Sequence, residues 1–313
     1  MTFILNNPIL WPVIRYFRGF TYFQVVCLTA VVYDLTLTFG QEFELVWRQR
    51  WSLMTFLYLS VRYIGIVYTV AIMLPNLPSV SLTDTGCTTL YFVENWMGII
   101  INGLLCVIII TRLYAMYQRS RRMLILLAVT FLAIQITSVV ILAIQAAYTS
   151  GEEYVLSGAH MCGYSFPDNI VLPEQMTWVL GTVWEIFALC LAVWIAVKHF
   201  REAQRPSTGS TVEDCFTVLV KSHVFYFASF VAASGLQLGN LSPVLFNSNS
   251  LGTMFFDGIR QLTRTVQMVI LGPRLILGLR EYHANLVADS DEGTGMASIV
   301  FQERVHISTG SGV

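Results

Sequence analysis

Seven times along the chain the sequence stays apolar for close to twenty residues and then breaks off at proline, glycine or a knot of charge. A helix needs about 20 apolar residues to cross roughly 30 Å of hydrocarbon. In lipid, every backbone N–H and C=O must be satisfied within the segment, which a helix does and an open strand does not. The runs fall at 19–40, 52–74, 90–111, 123–147, 177–198, 216–237 and 253–273. Between them lie Pro75 and Pro78, the Arg119–Arg122 cluster, Gly151 to Pro173, Arg205-Pro206 and, at the end, Gly272-Pro273. Composition agrees: 55% of the 313 residues are hydrophobic and 12% charged, whereas a soluble domain carries about a quarter charged residues. The expected fold is an all-α integral membrane bundle of seven transmembrane helices.

Lys and Arg set the expected orientation, because short cytoplasmic loops carry the excess of both. With the N-terminus outside, the inner loops and tail hold Arg48, Arg50, Arg112, Arg119, Arg121, Arg122, Lys198, Arg201, Arg205, Arg274, Arg280 and Arg304. The three outer loops hold none, and only Arg15 and Arg18, ahead of the first run, oppose the bias. The expected organisation is an outer segment 1–18, a transmembrane domain 19–281 and a polar, disordered cytosolic tail 282–313 containing "ADSDEGTG". The first run lacks a small-residue cleavage site behind a short apolar core and reads as a retained signal anchor. The expected location is the plasma membrane.

Six cysteines are present. Cys27, Cys106 and Cys190 lie within apolar runs, where a thiol is a small apolar filler. Cys87 precedes the third run and Cys162 sits midway in the second outer loop, so these two share the oxidising side and are expected to form a disulfide.

Ionisable groups at mid-bilayer cost roughly 2.5–3.5 kcal/mol each on insertion scales, so they face protein or a wet cavity. Asp34 and Arg62 fall at matching depths of the first two runs and are expected to pair as a structural clasp. In "FFDGIRQLTRTVQMVILGPRLIL", Asp257, Arg260 and Arg264 are three and four residues apart, hence on one helical face. Glu94 and Glu185 lie at depths from which they could neutralise that stripe. These five are the candidate ligand-binding residues, set around a cavity of the kind that helical bundles use for small ligands.

Other chemistry is not called for. A zinc hydrolase needs several converging ligands, and of the five histidines only His223 lies within a run. The seventh run has no lysine for a retinal Schiff base, and the sequence has no phosphate loop, nucleophile elbow or redox cysteine pair. No enzyme activity, metal or cofactor is expected. A net charge of −1 gives no attraction to nucleic acid.

"VVYDLTLTFGQEFELVW" and "LYLSVRYIG", within about residues 20–75, together with the ending "LGPRLILGLRE" (271–281), resemble a fungal multi-pass membrane family, domain of unknown function 6533. The elements of that resemblance fall on Asp34, Glu42, Glu44, Trp47, Tyr58, Arg62 and Tyr63. It implies a membrane protein and no particular activity. The layout also resembles seven-helix receptors in its outer N-terminus and its two cysteines. It departs from them at "TRLYAMY", which lacks an acidic-Arg-Tyr triplet, and at "LGPRLIL", where Asn-Pro-x-x-Tyr would stand. The favoured function is a receptor-like sensor of a small extracellular ligand, with the bilayer as its surroundings and the cytosolic partner left open. A transporter or channel would use the same charges as a path, though no internal repeat is present and many transporters are built from duplicated halves. A structural or lipid-organising protein would use them only to clasp helices.

Overall fold

The structure, a computed structural model, describes residues 3–5, 11–49, 51–77, 79–117, 120–156, 158–165, 171–203, 228–241, 250–278, 280, 281 and 284. Helix α1 (Trp11–Glu42) starts upstream of the first apolar run and continues through a π-helical turn, Phe43–Trp47. Ser52 caps α2 (Leu53–Met73), its hydroxyl accepting from the Thr55 N–H at 3.3 Å, and a 3₁₀ turn through Leu74–Asn76 ends it where Pro75 can no longer donate. Thr83 caps α3 (Asp84–Met116) in the same way, through the Gly86 N–H at 3.1 Å. Then follow α4 (Arg121–Tyr148) and α5 (Val171–Ala203). Residues 228–237 form α6, which closes in a 3₁₀ turn, Leu238–Leu241. Helix α7 (Leu251–Thr265), capped by Ser250, passes through a π segment, Val266–Leu271, and stays helical over 272–278.

Among the described residues five helices are long and apolar enough to cross a membrane: Trp11–Trp47, Leu53–Asn76, Asp84–Met116, Arg121–Tyr148 and Val179–Lys198. The chain is an all-α multi-pass membrane protein. The expected sixth run, 216–237, lies outside the described residues except for the helical 228–237. The expected seventh is helical, and its first part carries Asp257, Arg260 and Arg264 together with Thr253, Gln261, Thr263 and Thr265, which keeps it out of that set of five. Of the expected tail, 282–313, only residue 284 is described.

Consecutive helices from α1 to α5 pack side by side, and α7 returns against α1. At that closure a Cβ on Gly258 would come within 2.3 Å of the Phe23 ring, so hydrogen is the only side chain that lets the two helices meet. Among the described residues two main buried cores result, with a smaller cluster of Met116, Ile195 and Ala196 between α3 and α5. One joins α1, α2, α3 and α7 through Val31, Val61, Ile101, Ile108, Val269 and Ile276; the other joins α3, α4 and α5 through Ile109, Leu113, Leu127, Trp184 and Ala188. Outside the cores, α4 exposes Ile125, Val129, Leu132, Ile136 and Val140, the apolar exterior that a bilayer requires.

Between α4 and α5 the chain forms an antiparallel hairpin, β2 (Ser150–Leu156) and β3 (Ala159–Ser165). It turns at Gly158, whose φ of +82° lies in the left-handed region that glycine enters freely. Strand β1 (Phe3–Leu5) adds to β2 in parallel, giving the order β1-β2-β3.

Candidate functional site

The hairpin is fastened to the start of α3. Cys87 and Cys162 are joined by a disulfide, with Cα atoms 5.6 Å apart. Beside it the Gly151 N–H donates to Thr88 Oγ1 at 3.1 Å, and the Glu153 N–H donates to Asp84 Oδ1 at 2.9 Å. Glu153 in turn accepts from the Leu82 N–H at 3.1 Å. Tyr164 on β3 is tilted against Tyr91 of α3, ring centroids 5.0 Å apart. Burial, and after it the nearby Glu94 carboxylate, push the Tyr164 hydroxyl above its ordinary range, so it stays protonated.

A cavity of about 150 Å³ lies within the bundle on the same side of α3, walled by α3, α4, α5, α6 and α7. Its walls are polar to a degree unusual for a membrane interior. Six carboxamides line it: Asn95, Asn102, Gln135, Gln145, Gln237 and Gln267. Ser138, Thr177, Thr182 and Ser234 add hydroxyls, and Glu185 and Arg264 add one charge of each sign. Ile99, Leu105, Ile109, Leu142, Phe230 and Met268 supply the apolar part.

Glu185 is held from two sides. Gln267 Nε2 donates to its Oε1 at 3.0 Å, and the Ser234 hydroxyl donates to Oε2 in a short hydrogen bond. Gln267 stands in the π segment of α7. A π turn shifts the helix face by one residue, and just beyond it Pro273 has no N–H for the preceding turn. Arg264 sits with its guanidinium carbon 5.9 Å from the Tyr68 ring centroid, a cation–π contact.

The five candidate ligand residues therefore do not act as one group. Glu185 and Arg264 line the cavity. Glu94 lies outside that lining, within electrostatic reach of Arg264, Tyr68 and Tyr164. Asp257 and Arg260 pair with each other at 3.3 Å, and Asp257 accepts from the Tyr16 hydroxyl of α1 at 2.7 Å. Arg260 also donates to Gln237 Oε1 at 3.4 Å, and its backbone carbonyl accepts from Gln237 Nε2 at 3.4 Å. The stripe shares one face of α7, but a rise of 1.5 Å per residue sets Asp257 about 10 Å along the helix from Arg264, where different neighbours meet it.

The second constellation is at the opposite end of the bundle. Arg62, 1% exposed, bonds Asp34 through Nη1 in a short ion pair, donates to Thr38 Oγ1 at 2.6 Å and comes within 3.9 Å of Glu42. Asp34 takes a second guanidinium, Arg274 Nε at 2.6 Å. Glu42, fully buried, accepts from the Tyr58 hydroxyl at 3.1 Å, the Tyr63 hydroxyl at 3.0 Å and Trp47 Nε1 at 3.3 Å. Arg280 ties the end of α7 to the α1–α2 connection, donating to Leu45 O and Thr55 Oγ1 at 2.7 Å each. Two carboxylates meet two guanidiniums, so the buried cluster is neutral. Of the residues that carry the family resemblance, only Glu44 stands apart, exposed on the surface.

Fold and site together define a multi-pass helical membrane protein with a polar interhelical cavity and a separate neutral ionic clasp. Residues 22–67, which contain Asp34, Glu42, Tyr58, Arg62 and Tyr63 of that clasp, match a family of unknown function, DUF6533. No curated protein matches the chain.

Sequence reasoning missed the carboxamides. The signal was present: Asn95, Asn102, Gln135, Gln145 and Gln237 all interrupt apolar runs, and a carboxamide in lipid needs a partner as a charge does.

Proposed function

We propose that the protein is a receptor-like sensor in the plasma membrane, N-terminus outside, taking a small extracellular ligand into the cavity among α3 to α7. The observation that carries this reading is the cavity itself: about 150 Å³ of space, polar-walled, inside a bundle whose exterior is apolar. Such space is expensive to keep unless something occupies it, because packing is otherwise close to that of organic crystals. The hairpin strapped to α3 by Cys87–Cys162 stands at the end through which a ligand would arrive. Arg264 on α7 and Gln267 in its π segment connect the cavity wall to the helix whose far end holds Asp34 and the first loop through Arg274 and Arg280. Ligand-dependent movement of α7 would reach the basic cytosolic face by that route. In this reading the seven-helix count is completed by α6 and α7, and a cytosolic partner reads the inner loops.

The test is a melting-temperature screen of the purified protein against small polar solutes. A solute that raises the melting temperature of the wild type, and fails to do so in Glu185→Gln with Arg264→Gln, supports the cavity as the sensing site. Asp257→Asn serves as a control that keeps the response. Uptake of the same solute into proteoliposomes would instead identify a transporter, and a response kept by the double variant would remove the site.

A further inference from the structure

We infer, resting on that reading of the cavity, that its occupant is a small uncharged polyol. Size comes first. A cavity of about 150 Å³ holds a molecule on the order of six heavy atoms, the size of benzene. Charge comes next: Glu185 and Arg264 cancel, and both Glu185 oxygens already accept hydrogen bonds, from Gln267 and Ser234. A cation brought into this space would find both Glu185 oxygens taken, and an anion would share Arg264 with Glu94, which lies within its electrostatic reach.

The hydrogen-bond inventory then selects the ligand class. One N–H of the Asn95 amide goes to the Tyr91 carbonyl at 2.8 Å, and one of Gln135 to the Ile99 carbonyl at 3.2 Å. A carboxamide has two such N–H groups and one oxygen, so each of the two keeps a donor and an acceptor. Gln267 directs its N–H groups to Glu185 and Ser234 and keeps its oxygen. Gln145 is 6% exposed, it lines the cavity, and its Nε2 donor has no hydrogen-bond partner. The walls thus offer acceptors and donors together. A carboxylate has acceptors only and would leave the amide oxygens unmet. An alkylammonium has donors only and would leave Gln145 unmet. A hydroxyl both gives and takes, so a compound bearing three or so hydroxyls answers the whole wall.

Cys106 is a built-in reporter, since its side chain is part of the lining. The purified protein is treated with methyl methanethiosulfonate, a small neutral thiol reagent, and modification of each cysteine is followed by mass spectrometry. Ligands of this size bind with dissociation constants on the order of 1 mM. Glycerol at about ten times that concentration should slow Cys106 modification roughly tenfold while leaving Cys190 unchanged. In Gln135→Leu with Gln145→Leu the protection should vanish, and Asn102→Leu alone is the fallback if the double variant does not fold. Protection by propylammonium or butyrate in place of glycerol overturns the polyol assignment and leaves the cavity as a ligand site. No protection by any of the three, or no modification of Cys106 at all, overturns the polyol assignment and the cavity reading together.

Discussion

Arg62→Met offers the sharpest test of the ionic clasp. The wild-type guanidinium is 1% exposed and serves three acceptors, Asp34, Thr38 and, at 3.9 Å, Glu42. Methionine fills much of the volume and removes the charge. Removing one partner of a buried pair costs about 3–5 kcal/mol, mostly because the other charge is left uncompensated. Here the loss is cushioned on both sides. Asp34 keeps Arg274 at 2.6 Å, and Glu42 keeps hydrogen bonds from Tyr58, Tyr63 and Trp47. The cost of Arg62→Met should therefore fall at the lower end, about 3 kcal/mol. Asp34→Asn should cost more. It strips the carboxylate from two guanidiniums at once, and Arg62, unlike the half-exposed Arg274, cannot turn to water. The double variant Asp34→Asn with Arg62→Met should be less damaged than the sum of the two, with a coupling of about 1–3 kcal/mol. Unfolding in detergent by chemical denaturant, read from tryptophan fluorescence as a double-mutant cycle, measures all three. Single effects below about 1 kcal/mol that simply add would show that the cluster is solvated and that the burial argument is wrong.

Reduction of Cys87–Cys162, or Cys87→Ser, should leave the helices in place and free the hairpin; limited proteolysis between residues 150 and 165 should accelerate, while the remaining hydrogen bonds from Thr88 and Asp84 keep the protein monodisperse on gel filtration. Gly258→Val places a Cβ 2.3 Å from Phe23 and should lower stability by about 1–3 kcal/mol through forced separation of α1 and α7, read as a lower melting temperature. Arg280→Ala removes two 2.7 Å hydrogen bonds, to Leu45 O and Thr55 Oγ1, and should cost about 1–2 kcal/mol in the same assay, with Arg280→Lys recovering only part because one ammonium cannot fork between both acceptors.

Much of the molecule was legible before any coordinate. Five apolar runs became helices, because in hydrocarbon the backbone has no other way to satisfy itself and a run of about 20 residues can be counted directly. The pairing of Asp34 with Arg62 and of Cys87 with Cys162 was equally readable, since depth along a helix and side of a membrane are both functions of position in the chain. The seventh run was read as one charged face, and it is one face; what could not be read was that Arg264 meets a cavity and Asp257 meets Tyr16.

The sequence alone therefore determined that the apolar runs would form membrane helices and where along each one its polar groups would sit. Which polar groups meet was settled only when helices packed, because rotation about the helix axis and the order of neighbours are set by side-chain interlocking between elements far apart in the chain. Gly258 against Phe23, the π turn that carries Gln267 to Glu185, and the gathering of six carboxamides from four helices around one space all arise at that level.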